Sequence, residues 1–198
     1  MPPIHRITSL DLPALQPYRT LRRSQEHFSQ GIFVAEGEKV VRRFLASGLP
    51  AVSLLMTDEW FAQLFPGGAA SMPCEVFIAE KKLLETIVGF RMHQGIMAVG
   101  RVPAEPTLDD LVRKSPSPRL FASLDGLVFA ETVGVVVRNC AAFGVHGILV
   151  GKNSASPYLR RAVRNSMGAA FQIPVIHVQR LPEPYESLPL TSRPPQQS

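Results

Sequence analysis

The stretch LFASLDGLVFAETVGVVVRNCAAFGVHGILVG, residues 120–151, decides the fold. LFASLDG (120–126) and GILVG (147–151) are short apolar runs closed by glycine, the pattern of buried strands. Between them, in TVGVVVRNCAAFG (132–144), Val133, Val136, Val137, Cys140, Ala141 and Gly144 recur at three- and four-residue spacing. That period gives a helix one apolar face and leaves Arg138 off it. Downstream, SPYLRRAVRNSMGAAF (156–171) predicts a second helix and PVIHV (174–178) a third strand. A β-α-β-α-β run makes a parallel sheet with right-handed crossovers, and ligands of such sheets bind outside the carboxyl ends of the strands.

Working back from that stretch, residues 103–118 hold Pro103, Pro106, Pro116 and Pro118 and read as a linker. Before it, short apolar runs again alternate with helical segments. GIFVAEG (31–37), AVSLLMT (51–57), CEVFIAE (74–80) and GIMAVGRV (95–102) read as strands. EKVVRRFLASG, DEWFAQLF and KKLLETIVG read as helices, and the segment before Gly31, with Arg19, Arg22 and Arg23, as a further helix. Strands separated by helices imply a small α/β layer domain. Working forward, Pro182, Pro184, Pro189, Pro194 and Pro195 crowd the end of the chain, which reads as a disordered tail.

The 198 residues suffice for one large domain or two small ones. With 45% hydrophobic and 19% charged residues the chain has the composition of a folded protein, against ~25% charged in an average domain. No apolar run approaches the ~20 residues of a membrane span, and MPPIHRITSL lacks the apolar core of a signal peptide, so a cytosolic location is expected. Cys74 and Cys140 are too few for a metal site by themselves and read as buried free thiols.

Charge is uneven along the chain. Residues 1–100 carry 10 basic and 9 acidic side chains, and residues 101–198 carry 11 and 7. No carboxylate occurs between Glu131 and Glu183, while Arg138, Lys152, Arg160, Arg161, Arg164 and Arg180 all fall there. Such a field favours a polyanion, RNA or DNA above all, and the competing reading is a set of solvated helix faces. The spacing puts Arg160 and Arg164 on one helix face and Arg161 to one side. Arg22 and Arg23 are further RNA-binding candidates, although interspersed acids there, as around Arg42 and Arg43, favour plain surface charge. Met167 and Phe171, at i and i+4, read as core, and His93 as a structural histidine.

Only Gly126 and Gly134 follow the strand at 120–126, so the G-x-G-x-x-G turn of a dinucleotide fold is missing. The chain also has no P-loop, G-x-S-x-G elbow, H-E-x-x-H or Cys-x-x-Cys pair. Phosphotransfer, serine hydrolysis and zinc chemistry each lose their usual support.

LDGLVFAETVGVVVRNCAAFGVHGILVG (124–151) is similar to the first motif of the SpoU (TrmH) branch of the SPOUT RNA 2′-O-ribose methyltransferases, roughly L-D-x-x-x-D-P-x-N-x-G-x-x-x-R-x-A-x-x-x-G. RRAVRNSMGAAFQIPV (160–175) resembles that family's R-x-S-x-G-A segment and the strand after it. GIFVAEGEKVVRRFLASG (31–48) and HQGIMAVGRV (93–102) resemble the ribosomal-protein-like substrate domain that many members carry in front. The resemblance implies an α/β chain: an RNA substrate-binding domain over 1–102, a linker over 103–118 and a partial parallel-sheet SPOUT (α/β knot) domain over 119–180, with the tail at 181–198. It implies S-adenosylmethionine as methyl donor, ribosomal or transfer RNA as acceptor, no membrane partner and a homodimer through the catalytic domain.

By the same resemblance Arg138 holds the target nucleotide and helps its ribose 2′-hydroxyl attack the methyl group. Because a guanidinium keeps its proton, that role is phosphate binding and stabilisation of the developing alkoxide. Lys152, Arg160, Arg161 and Arg164 are the RNA-binding candidates of the same domain. Phe129-Ala130 stand where the family has Asp-Pro, and Thr132 where it has Asn, so Thr132 takes the second catalytic place. The family's second and third motifs, which supply the cofactor pocket through a knotted segment, have no counterpart in QRLPEPYESLPLTSRPPQQS after Val178. Two readings follow: an enzyme whose chain continues with those motifs, or a truncated or catalytically inactive RNA-binding remnant. The remnant would bind S-adenosylmethionine weakly, transfer no methyl group and self-associate.

Overall fold

The structure, a computed structural model, describes residues 2–88 and 95–179. The expected tail, His93 and Arg180 lie outside the described residues.

The first unit runs β1 (Ile4–Ile7), α1 (Gln16–Arg19), α2 (Ser24–Ser29), β2 (Ile32–Glu36), α3 (Glu38–Ala46), β3 (Ala51–Met56), α4 (Asp58–Leu64), β4 (Glu75–Ala79), α5 (Lys81–Val88) and β5 (Ile96–Arg101). Its five strands lie in the order β1-β4-β3-β5-β2, with β1, β4 and β3 mutually parallel and β5 antiparallel to both β3 and β2. Both faces of this sheet are covered, which is why its strands read as near-continuous apolar runs. Ile32, Val34, Leu55, Phe77, Met97 and Val99 face one core with Leu15, Tyr18 and Leu84. Phe33, Ala35, Leu54, Val76 and Ala98 face the other, which is shared with the second unit.

The second unit runs α6 (Leu108–Lys114), β6 (Phe121–Leu124), α7 (Ala130–Ala142), β7 (Gly147–Gly151), α8 (Arg160–Asn165) and β8 (Val175–Val178). The three strands are parallel in the order β6-β7-β8, as the periodicity predicts, with Phe121 opposite Gly147 and Ile148 opposite Val175. Helices α7 and α8 cover one face through Val133, Val137, Ala162 and Val163. Helix α6 covers the other, where Leu111 packs with Leu149 and Ile176.

Four features depart from the sequence pattern, the first being that the helix expected before Gly31 is two short ones, α1 and α2, with Arg22 and Arg23 in the turn between them. Strand β1 was not expected: its IHRI is half-exposed and has no alternation to betray it. Residues 103–118 are not plain linker, because α6 sits inside them. Its signals are local: the Thr107 hydroxyl accepts from the Asp110 amide at 3.1 Å, acids fill the first turn, and Arg113 and Lys114 fill the last. The single helix expected over 156–171 is instead α8 followed by a turn and a short 3₁₀ segment, Ala169–Phe171. The Gly168 amide reaches the Val163 carbonyl and the Met167 amide reaches that of Arg164, the bonding of a Schellman cap. Met167 (φ 54) therefore occupies the left-handed position that glycine usually takes.

The break has a packing consequence. It swings Phe171 against Phe33 and Phe44 of the first unit, with ring centroids 5.0 and 5.5 Å apart, and Tyr158 closes on Phe33 at 6.2 Å. Gly100 on β5 makes room for this cluster, since a Cβ there would lie 2.4 Å from the Phe33 ring. The two units thus share one continuous core.

Candidate nucleic-acid interface

Helix α7 carries the catalytic candidates. Val133, Gly134, Val137 and Cys140 are buried, and Thr132, Val135, Arg138 and Asn139 are exposed, so one helix face is anchored and the other is presented to solvent. Gly134 is where α7 meets α8: a Cβ there would stand 2.4 Å from the Ala162 carbonyl oxygen. The loop that leads into α7 leaves the carboxyl end of β6. It is pinned by the Ser154 hydroxyl, which donates to the Leu124 carbonyl at 3.0 Å and accepts from the Leu127 amide at 3.2 Å. The Ala155 amide also donates to the Leu127 carbonyl at 2.8 Å. Beyond this anchor Val128 and Phe129 project into solvent, 64% and 70% exposed.

The basic candidates divide into two groups. Arg160 is committed inside the protein: Nη1 donates to Glu36 Oε2 at 2.6 Å and Nε to the Leu21 carbonyl at 3.2 Å. Arg164 faces the same carboxylate at 3.6 Å. Arg161 instead meets Glu131 at 2.7 Å on the surface. The stretch that lacks carboxylates in sequence is thus supplied with them in space, by β2 and by the start of α7.

Arg22, Arg138 and Lys152 are exposed and form no ion pair among the described residues, while Arg23 lies 3.6 Å from Glu26. Arg22, Arg160 and Arg161 line one cleft of about 420 Å³ together with Leu21, Val128 and Phe129. Arg22 and Arg23 also line a neighbouring cleft of about 360 Å³ with Arg19 and Thr86. Arg138 and Lys152 are not among the residues lining either cleft.

Sequence reasoning missed three residues. Glu36 closes an apolar strand and gives no hint of its partners. Arg43 of α3 donates to the Met167 carbonyl, fastening the turn after α8 to the first unit. Phe129 was noted only as a departure from a motif, although an aromatic in place of a polar residue at the carboxyl end of a strand was the available signal.

Residues 119–192 match the model of the SpoU rRNA Methylase family. The second unit is a SpoU-family domain. Around that SpoU domain, an uncharacterized tRNA/rRNA methyltransferase of Mycobacterium tuberculosis is 34% identical over 169 residues, which is 83% of this chain and 57% of the relative. The chain therefore spans a little over half the length of such curated relatives. Among solved structures, an AdoMet-bound rRNA methyltransferase from Sinorhizobium meliloti superposes with a TM-score of 0.73 at 22% identity, over 88% of this chain and 64% of that one. A structure described as an RNA 2′-O ribose methyltransferase superposes with a TM-score of 0.66 at 25% identity, over 87% of this chain and 65% of that one. The matched fold extends through both units. Among the described residues no helix is long and apolar enough to cross a membrane, and no group of side chains could hold a metal ion.

Proposed function

We propose that the chain serves the methylation of tRNA or rRNA at the ribose 2′-hydroxyl, with S-adenosylmethionine as donor. The observation that carries this reading is the outward face of α7. It presents Arg138 and Thr132 unburied within the matched segment, on the helix whose first residues, Ala130 and Glu131, line a cleft that also holds Arg22, Arg160 and Arg161. The first unit then acts as the RNA substrate-binding domain, and a dimer forms through the SpoU domain.

As a guanidinium, Arg138 offers a fixed positive charge and a donor fork. Such a group orients a phosphate of the target nucleotide and stabilises negative charge developing on the ribose oxygen. The Thr132 hydroxyl, six residues or about 1.7 turns earlier on the helix, offers a ribose oxygen one donor or acceptor. Unlike an amide it offers one donor and no fixed orientation. S-adenosylmethionine, when bound, supplies the methyl group on a sulfonium. The resemblance assigns its pocket to chain following β8, outside the described residues, and the described residues do not supply one: β8 has no strand on its outer edge among them. The described residues provide the RNA grip and the acceptor side.

The test is incubation of bulk tRNA and rRNA with methyl-labelled S-adenosylmethionine, followed by digestion to nucleosides. In a chain that carries the family's second and third motifs after β8, label in 2′-O-methylnucleosides, lost in Arg138→Ala, is the expected result. Label in methylated bases, or in neither RNA, overturns the proposal.

A further inference from the structure

Phe129 is a large apolar side chain held in solvent, 70% exposed, where burial would normally be favoured. It is the residue just before α7, at the carboxyl end of β6, where open parallel sheets bind their ligands. The same cleft is lined by Leu21 and Arg22 from the first unit and by Val128, Arg161 and the Arg161 partner Glu131 from the second. At about 420 Å³ it falls within the range of small-ligand clefts, ~300–1,000 Å³.

Its charges are available to different degrees. Arg160, with only 15% of its side chain exposed, is held by Glu36 and serves as wall. Arg22 has no ion-pair partner among the described residues. Arg161 pairs with Glu131, but both side chains are exposed, 66% and 45%. Exposed pairs of this kind are weak, so Arg161 can exchange Glu131 for a phosphate at little cost. Two accessible guanidiniums flanking an exposed aromatic ring match an unpaired nucleotide, whose base stacks on the ring and whose phosphates meet the cations.

We propose that this cleft is a subsite for one unstacked nucleotide of single-stranded RNA, with the base on Phe129 and the flanking phosphates on Arg22 and Arg161. The inference rests on the RNA reading above and adds to it a position and a stacking residue. The charge complementarity of the cleft singles out RNA as the occupant over a second copy of the chain, which would bring its own arginines to the same place.

The experiment uses the whole 198-residue chain and a single-stranded RNA 12-mer of mixed sequence, with a perfect RNA duplex as comparison. Phe129→Ala should weaken binding of the single strand about tenfold. It should leave the slope of log affinity against log salt unchanged, because no phosphate contact is lost. Arg22→Ala should lower that slope by roughly one unit. Phe129→Trp should keep the affinity and, in a Trp60→Phe background that removes the only native tryptophan, lose fluorescence as RNA is added. If the wild type binds with a steep salt slope and Phe129→Ala binds equally well, the subsite is wrong while RNA binding stands. If the wild type binds no RNA, both readings fall. If Phe129→Ala converts a dimer to a monomer in sedimentation, the ring is a contact between protomers and the proposal is overturned.

Discussion

Arg160 Nη1 stands 2.6 Å from Glu36 Oε2, and neither side chain is more than 15% exposed, so a nearly buried ion pair ties α8 of the second unit to β2 of the first. Removing one partner of such a pair strands a charge away from water, which costs more than the pair contributes. Glu36→Ala should therefore lower unfolding stability by about 3 kcal/mol. Arg161→Ala, which breaks only the exposed pair with Glu131, should cost less than about 1 kcal/mol. Urea titrations of both variants decide it, and equal effects would show that the burial of the first pair is not what matters.

Gly134 opposes two magnitudes. Alanine in mid-helix is favoured over glycine by about 1 kcal/mol. Here the new Cβ would lie 2.4 Å from the Ala162 carbonyl oxygen and 2.8 Å from the Asn165 Cβ, and backbone cannot yield as a side chain tip can. Overpacking typically costs about 1–3 kcal/mol. Gly134→Ala is expected to lower stability by about 1 kcal/mol or more, measured by thermal or urea unfolding. An increase would mean that α7 and α8 separate easily.

His27 is buried beneath the loop that carries Arg22, with Nε2 held at 2.8 Å from the Thr20 hydroxyl. Burial, with a smaller contribution from Arg160, pushes its pKa below the ordinary 6.5, against an opposing pull from Glu26. The unfolded chain therefore binds a proton more readily than the folded one in this range. Stability should fall as pH drops below about 6.5, and the loss should level off once pH is below the folded value. His27→Gln should flatten that part of the profile. A urea midpoint that is constant, or that rises, between pH 7.5 and 5 would contradict this.

Both cysteines are buried and free. Burial pushes the Cys74 thiol up to about 11, and it raises Cys140 as well. Since the thiolate is the reactive form, neither should react with a thiol reagent at pH 8 in the native protein, and both should react once urea unfolds it. Rapid labelling of either in native buffer would contradict the packing around it.

The parallel sheet of the second unit was legible because each strand is a short apolar run bounded by glycine or proline, and because α7 keeps its period from Val133 to Cys140. Strands β2 to β5 of the first unit were legible for the same reason, and β1 was not. What escaped was set by tertiary contact. Periodicity across 156–171 continues through Met167, and only the docking of Phe171 on Phe33 and of Arg43 on the Met167 carbonyl makes a break there favourable. The candidate site shows the same limit. The exposure of Arg138 on α7 followed from spacing, but a count of charge along the chain cannot register that Glu36 faces Arg160 and Arg164 from 124 and 128 positions away. Nor could it show that Arg22 lies across a cleft from Phe129.

The most direct test of the account is methyl transfer from labelled S-adenosylmethionine to tRNA and rRNA, compared between the wild type and Arg138→Ala. With the family's cofactor motifs present after β8, 2′-O-methylnucleosides are expected from the wild type and a loss of at least a hundredfold from Arg138→Ala, roughly the effect of removing one stabilising donor at a developing oxyanion. An unchanged yield of 2′-O-methylnucleosides in Arg138→Ala would contradict it.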